Sequence, residues 1–187
     1  MRTRLFPVAI LLAAFVLHAG IPVSHGADDA KRPPSLEEVQ GAIPLLSSSD
    51  KVKRLEATKT LFQLDRKVVE DLKKAGAKNA VEGSIGSRRL DMVYTLIVGL
   101  PPKARNFSST SFGVSVEKGT SREAVVEMGK KYGFEVGDFG ADGVPSCYVK
   151  LVGGANLSVV MRELLSHEPS VVTVNLNYVE FSSSGNR

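Results

Sequence analysis

The chain has 187 residues, a mass of 20.0 kDa and a formal net charge of +4. Its hydrophobic fraction of 43% and charged fraction of 24% are those of a globular protein of one or two domains, and they exclude disordered, collagenous and coiled-coil compositions. A single Cys excludes an intramolecular disulfide and every Cys-cluster zinc motif.

Residues 1–26 read as a signal peptide. Arg2 and Arg4 form a basic start, and Leu5 to Leu17 form an apolar run too short to span a bilayer as a mature helix. Ser24-His25-Gly26 is a small-x-small cleavage site before Ala27, and cleavage after Ala19 or Gly20 fits as well. No second apolar stretch reaches spanning length. The mature chain is therefore expected to be exported, periplasmic or secreted, with no stable membrane insertion after cleavage. It keeps 22 basic and 20 acidic residues, net +2, and His167 as its one His. That argues against His-based metal sites, Ser-His-Asp triads and most His acid–base chemistry, so no enzyme and no cofactor are expected. Residues 27–105 carry net +4 and residues 106–187 net −2. This asymmetry suits two modules. It is too weak for a nucleic-acid partner, and none is expected.

Residues 27–34 form a polar, Pro-terminated leader. A helical block is predicted over 35–105. Ser35 and Glu38 have capping-box spacing, ahead of Leu36, Val39, Ile43 and Leu46 at helical intervals. Asp50 closes a polar break with good N-cap chemistry. Val52, Leu55, Thr58, Leu61, Phe62 and Leu64 mark a second helix. Asp65 can cap a third, bearing Val68, Val69 and Leu72 and stopping at Gly76. Ser87 can cap a fourth, with Leu90, Val93, Tyr94, Ile97 and Val98 inward and Arg88, Arg89, Asp91 and Met92 outward. The run YTLIVGL also suits a buried strand, but helix is favoured, with Gly99 as its end. Pro101-Pro102 and the following KARNFSSTS read as the connection between modules.

From Ser111 the chain alternates strand and helix signals. Phe112, Val114 and Val116 alternate with small or polar residues. Thr120-Ser121-Arg122-Glu123 has a second capping-box pattern, before Ala124, Val125, Met128 and Tyr132, with a stop at Gly133. FEVGDF is a short strand, and Asp142-Gly143 marks a turn. Cys147, Val149 and Leu151 then face one way, and Ser146, Tyr148 and Lys150 the other. Asn156 caps a helix with Leu157, Val160, Met161, Leu164 and Leu165, Pro169 stops it, and VVTVNLNYVEF is the last strand. The predicted fold class is therefore α+β: an all-α N-terminal block followed by a ferredoxin-like βαββαβ module over 111–181, with a tail at 182–187. That fold alone identifies no function.

Two resemblances accompany these patterns. The run GAIPLLSSSDKVKRLEATKTLFQLDRKVVEDLKKAGAKNAV resembles an armadillo/HEAT-type helical repeat. A small helical bundle of no repeat ancestry accounts for it equally. In the second module, VSVEKGTSREAVVEMGKKYGFEV, SCYVKLVGGANLSVVMRELLSHEPSV and VTVNLNYVEF resemble the propeptides of subtilisin-type serine proteases and the stand-alone inhibitors built on them. Asn175-Leu176 stands where that family usually has an acidic residue and Pro. The resemblance implies a sheet face packed on two protease helices and a C-terminal tail lying in the protease cleft as a strand. By position, Glu180, Phe181, Ser182 and Ser183 would approach the substrate subsites, with Ser184 to Arg187 running past the cleavage point. The expected target is a separate subtilisin-type protease, inhibited or assisted in folding. A non-enzymatic adaptor binding another envelope or secreted protein is the alternative.

The remaining reactive side chains have plainer roles. Cys147 is expected in the core, and His167 at a helix C-terminus that favours a cation. Glu135, Asp138 and Asp142 suit solvated turns rather than a calcium loop. Lys73, Lys74 and Lys78 suit helix-end charges.

Overall fold

The computed structural model describes residues 32–74, 84–100, 107–140 and 145–178. Among them the chain forms six helices and a four-stranded antiparallel sheet, a mixed α+β arrangement in which four helices precede the first strand.

Helix α1 (Leu36–Leu45) starts where Ser35 and Glu38 close the expected capping box in both directions. Helix α2 (Lys51–Leu61) starts at Asp50, whose carboxylate accepts from the Val52 and Lys53 amides. Its inward face is Arg54, Ala57, Thr58 and Leu61, whereas Val52 is 64% exposed. The expected apolar stripe is thus displaced, because a buried arginine occupies the face that Val52 was assigned. Helix α3 (Arg66–Lys74) buries Val69 and Leu72. Residues 75–83, with the Gly76 stop, lie outside the described residues.

Helix α4 (Ser84–Val98) resolves the helix-or-strand choice in favour of helix. It begins before Ser87, which is therefore inside it. Leu90, Val93 and Tyr94 face the core as expected, and Gly99, at φ +110°, ends the helix with its amide on the Thr95 carbonyl. Arg89 contradicts the expected outer placement: it is 1% exposed.

Strand β1 (Phe107–Val116) starts earlier than the alternation signal, so Phe107 to Thr110 belong to the sheet rather than to a connection. Helix α5 (Arg122–Tyr132) is capped by Ser121, which accepts from Ala124, one residue later than a Thr120–Glu123 box requires. Gly133 at φ +81° ends it. Strands β2 (Phe134–Gly140) and β3 (Ser146–Leu151) pair antiparallel, and the Asp142-Gly143 turn between them lies outside the described residues. Asn156 caps α6 (Leu157–His167), and β4 (Val171–Tyr178) closes the sheet in the order β2-β3-β1-β4.

Alternation separates the two faces of this sheet. Phe112, Val114 and Val116 meet Cys147, Val149, Leu151, Val174 and Leu176 on one face, covered by α5 and α6. Phe112 and Phe134 meet edge to face at 6.0 Å. At Gly129, α5 comes so close to β2 that a Cβ would sit 2.4 Å from the Phe134 carbonyl oxygen.

The helical block docks on this layer along its β4 edge. Helix α4 runs against β4 and α2 against α6, and the apolar core is continuous across the junction. Three arginines join the parts. Arg89 donates to the Thr58 hydroxyl at 2.7 Å and to the carbonyls of Val171 (2.8 Å), Val172 (2.8 Å) and Leu165 (2.7 Å). Arg54 pairs with Glu117 and donates to the carbonyls of Ser48 and Pro169. Arg162 donates to the Phe62 carbonyl at the end of α2 and lies over the Phe62 ring. Edge carbonyls need partners when a helix excludes water from them, and a guanidinium supplies several donors at once. Burial, then neighbouring Arg54, lowers the Arg89 pKa to about 9, against the pull of Glu117, so at neutral pH it stays charged.

Candidate functional site

The face of the sheet opposite α5 and α6 is built from small and polar residues, buried at Thr173 and open at Ser146, Tyr148 and Lys150. Register places Gly113 between Tyr148 and Asn175, Ser115 between Ser146 and Thr173, and Lys150 between Ser111 and Glu135. With no side chain at Gly113, the middle of the face is low, and a trough of about 610 Å3 runs over it. Its lining includes Ser115, Asp138, Ser146, Tyr148, Asn175 and Tyr178. A Cβ at Gly113 would meet Asn175 at 3.8 Å, an ordinary contact, so the fold itself tolerates a larger residue there.

The polar groups of this face are modestly tied to one another. Asn177 donates to the Ser111 hydroxyl at 3.0 Å. Tyr148 is 64% exposed and stands on this face, and Tyr178, 60% exposed, lines the trough at the end of β4. An aromatic ring with a hydroxyl at its tip, beside a floor of small residues, suits a protein surface that needs both contact area and hydrogen bonds. The arrangement offers shape and hydrogen bonding rather than a convergent acid–base pair. The Cys147 thiol sits on the core face, where burial pushes its pKa to about 11 and keeps it a poor nucleophile.

The other residues singled out from sequence fall as follows. His167 ends α6 and lies 3.1 Å from the Glu163 carboxylate, one helical turn away. Glu135 and Asp138 are exposed on β2, and Asp142 is outside the described residues. No three His, Cys, Asp or Glu side chains among the described residues gather as a metal site would require. Lys73 and Lys74 close α3, and Lys78 lies outside the described residues. Glu180, Phe181, Ser182 and Ser183 also lie outside them, as do residues 1–26. No described helix is long and apolar enough to cross a membrane.

Ser146, Tyr148 and Lys150 were legible as one face from alternation alone. Gly113 and Asn175 were not identified as the centre of that face, because their juxtaposition depends on the β3-β1-β4 register. Comparison with protein-family models, curated proteins and solved structures finds no match to this chain.

Proposed function

We propose that this chain is an exported, stand-alone propeptide-like inhibitor, or intermolecular folding chaperone, of a subtilisin-type serine protease. In this reading the sheet and its two covering helices form a ferredoxin-like module. The observation that carries the reading is the open sheet face. It is low at Gly113, rimmed by Tyr148 and Asn175, and bordered by the strand that leads directly into residues 179–187. A fully extended chain advances about 3.3–3.6 Å per residue, so Glu180 to Ser183 lie within reach of whatever sits on that face.

The proposed mechanism has two parts. The face docks on helices at the protease surface, where small residues permit close approach and Tyr148 supplies an anchor. Docking delivers residues 180–183 to the active-site cleft at high effective concentration, where main-chain hydrogen bonds hold them as a product-like strand. The same docking on an unfolded or partly folded protease would stabilise its native surface, which is the chaperone arm.

Inhibition of a purified subtilisin-type protease by the chain, with and without residues 180–187, tests this. Saturable inhibition by the full chain, lost on deletion while binding persists at reduced strength, is the expected result. An intact, folded chain that neither inhibits nor assists refolding across a panel of such proteases would leave the adaptor reading in its place. What favours that second reading is the helical block, held on the sheet layer by Arg54, Arg89 and Arg162 as an enlarged binding body.

A further inference from the structure

The C-terminal end of β4 is a ridge between two concave surfaces. Asn175, Leu176 and Tyr178 line the sheet trough on one side, and on the other a second groove of about 620 Å3 walled by α3 and α4. Its apolar lining comes from Met92, Val98 and Leu176, and its cations are Arg66 and Lys73 on α3 and Arg88 on α4. Arg66 pairs with Glu70 across one turn. Arg88 and Lys73 are exposed and engage no partner among the described residues. Asp91, the carboxylate in the lining, already has an interaction of its own.

We propose that this groove is a docking site for an extended segment of a partner protein in which acidic and apolar residues alternate. The inference does not rest on the protease reading, since the groove lies across β4 from the open sheet face. Its chemistry carries it. From Arg88 to Val98, α4 rises about 15 Å, the length of four or five residues of extended chain. Such a segment places alternate side chains on opposite sides. One set covers Met92, Val98 and Leu176, and the other meets Arg88 on one wall and Lys73 on the other. A guanidinium with no partner among the described residues offers paired N–H donors to a bidentate carboxylate. A nucleic-acid strand fits less well, because the lining gives bases no row of aromatic rings to stack on.

The test is fluorescence anisotropy with a labelled Glu-Leu-Glu-Leu-Glu peptide against the full chain, with Lys-Leu-Lys-Leu-Lys as the control. Saturable binding of the acidic probe is expected, weakened about tenfold by Arg88→Glu, similarly by Lys73→Glu, and by added salt. Both side chains are exposed, so the fold should survive, which circular dichroism checks. Absence of saturable binding, equal binding of the basic probe, or indifference to both charge reversals overturns the proposal. Binding that emerges only after deletion of residues 179–187 also overturns it, because the groove would then belong to this chain's own C-terminal segment.

Discussion

In the βαββαβ part of the molecule, the core is made by alternation: Phe112, Val114, Cys147, Val149 and Val174 point one way, and their neighbours point to the opposite face, which is exposed at Ser146, Tyr148 and Lys150 and buried at Thr173. Much of its backbone pairs in the ladder, and on β4 Arg89 adds donors to the Val171 and Val172 carbonyls. In the α1–α4 part, the inward face carries Arg54, Thr58 and Arg89 beside Leu61, Leu90 and Val93, and the two arginines reach out to the other part for acceptors while Thr58 accepts from Arg89 within the block. The difference shows which part depends on which. The two parts share one apolar core, but the helical block also has a polar seam whose arginines find their acceptors in the sheet layer.

The largest test of that dependence is Arg89→Met. It removes the donors to Val171, Val172, Leu165 and Thr58, and it leaves the three carbonyls buried. A loss of about 3–5 kcal/mol is expected in chemical denaturation, with the α1–α4 region exchanging its amides faster than the sheet. Equal exchange in both parts would break the comparison.

Gly129→Ala probes the sheet layer from inside. The added Cβ would lie 2.4 Å from the Phe134 carbonyl oxygen, so α5 must move off β2. The expected cost is about 2–3 kcal/mol, read as a lower denaturation midpoint, with the Arg89 contacts preserved. A change under about 0.5 kcal/mol would mean that α5 does not seat as closely as described.

A smaller effect, of opposite sign, is expected on α4. The Tyr94 hydroxyl is buried with no hydrogen-bond partner among the described residues, and burial, then the charge of Asp91, raises its pKa to about 12. Tyr94→Phe removes that unsatisfied group and keeps the ring, so stability should rise by about 1 kcal/mol. A loss of similar size would show that the hydroxyl has a partner in solution.

What was legible in the sequence divides along the same line. Period-two alternation announces a half-buried strand from its own residues, so β3, β4 and the Phe112–Val116 half of β1 could be read directly. Phe107 to Thr110 were missed because a Ser-Ser-Thr run lacks the alternation that pairing with β4 does not require. The caps Ser35, Asp50 and Asn156 and the terminators Gly99 and Gly133 act locally and could also be read directly. Arg89 could not. A charge on a helix is ordinarily assigned to water, and only the carbonyls of a strand 82 residues away reverse that assignment. The open face was half legible, through Ser146, Tyr148 and Lys150. The groove beside it was not, since it needs α3, α4 and β4 in one place.

The measurement closest to the proposed function uses Gly113→Arg. Its backbone demands no positive φ, and its Cβ position is uncrowded, so stability should change by about 0.5 kcal/mol or less. The new side chain would stand in the trough between Tyr148 and Asn175. Calorimetric binding to a subtilisin-type protease whose catalytic Ser has been replaced by Ala separates docking from cleavage. The full chain is expected to bind saturably, and Gly113→Arg to weaken binding about a hundredfold or more, as expected for obstruction at the centre of an interface. Equal binding by the two folded proteins would contradict docking through the open face of the sheet.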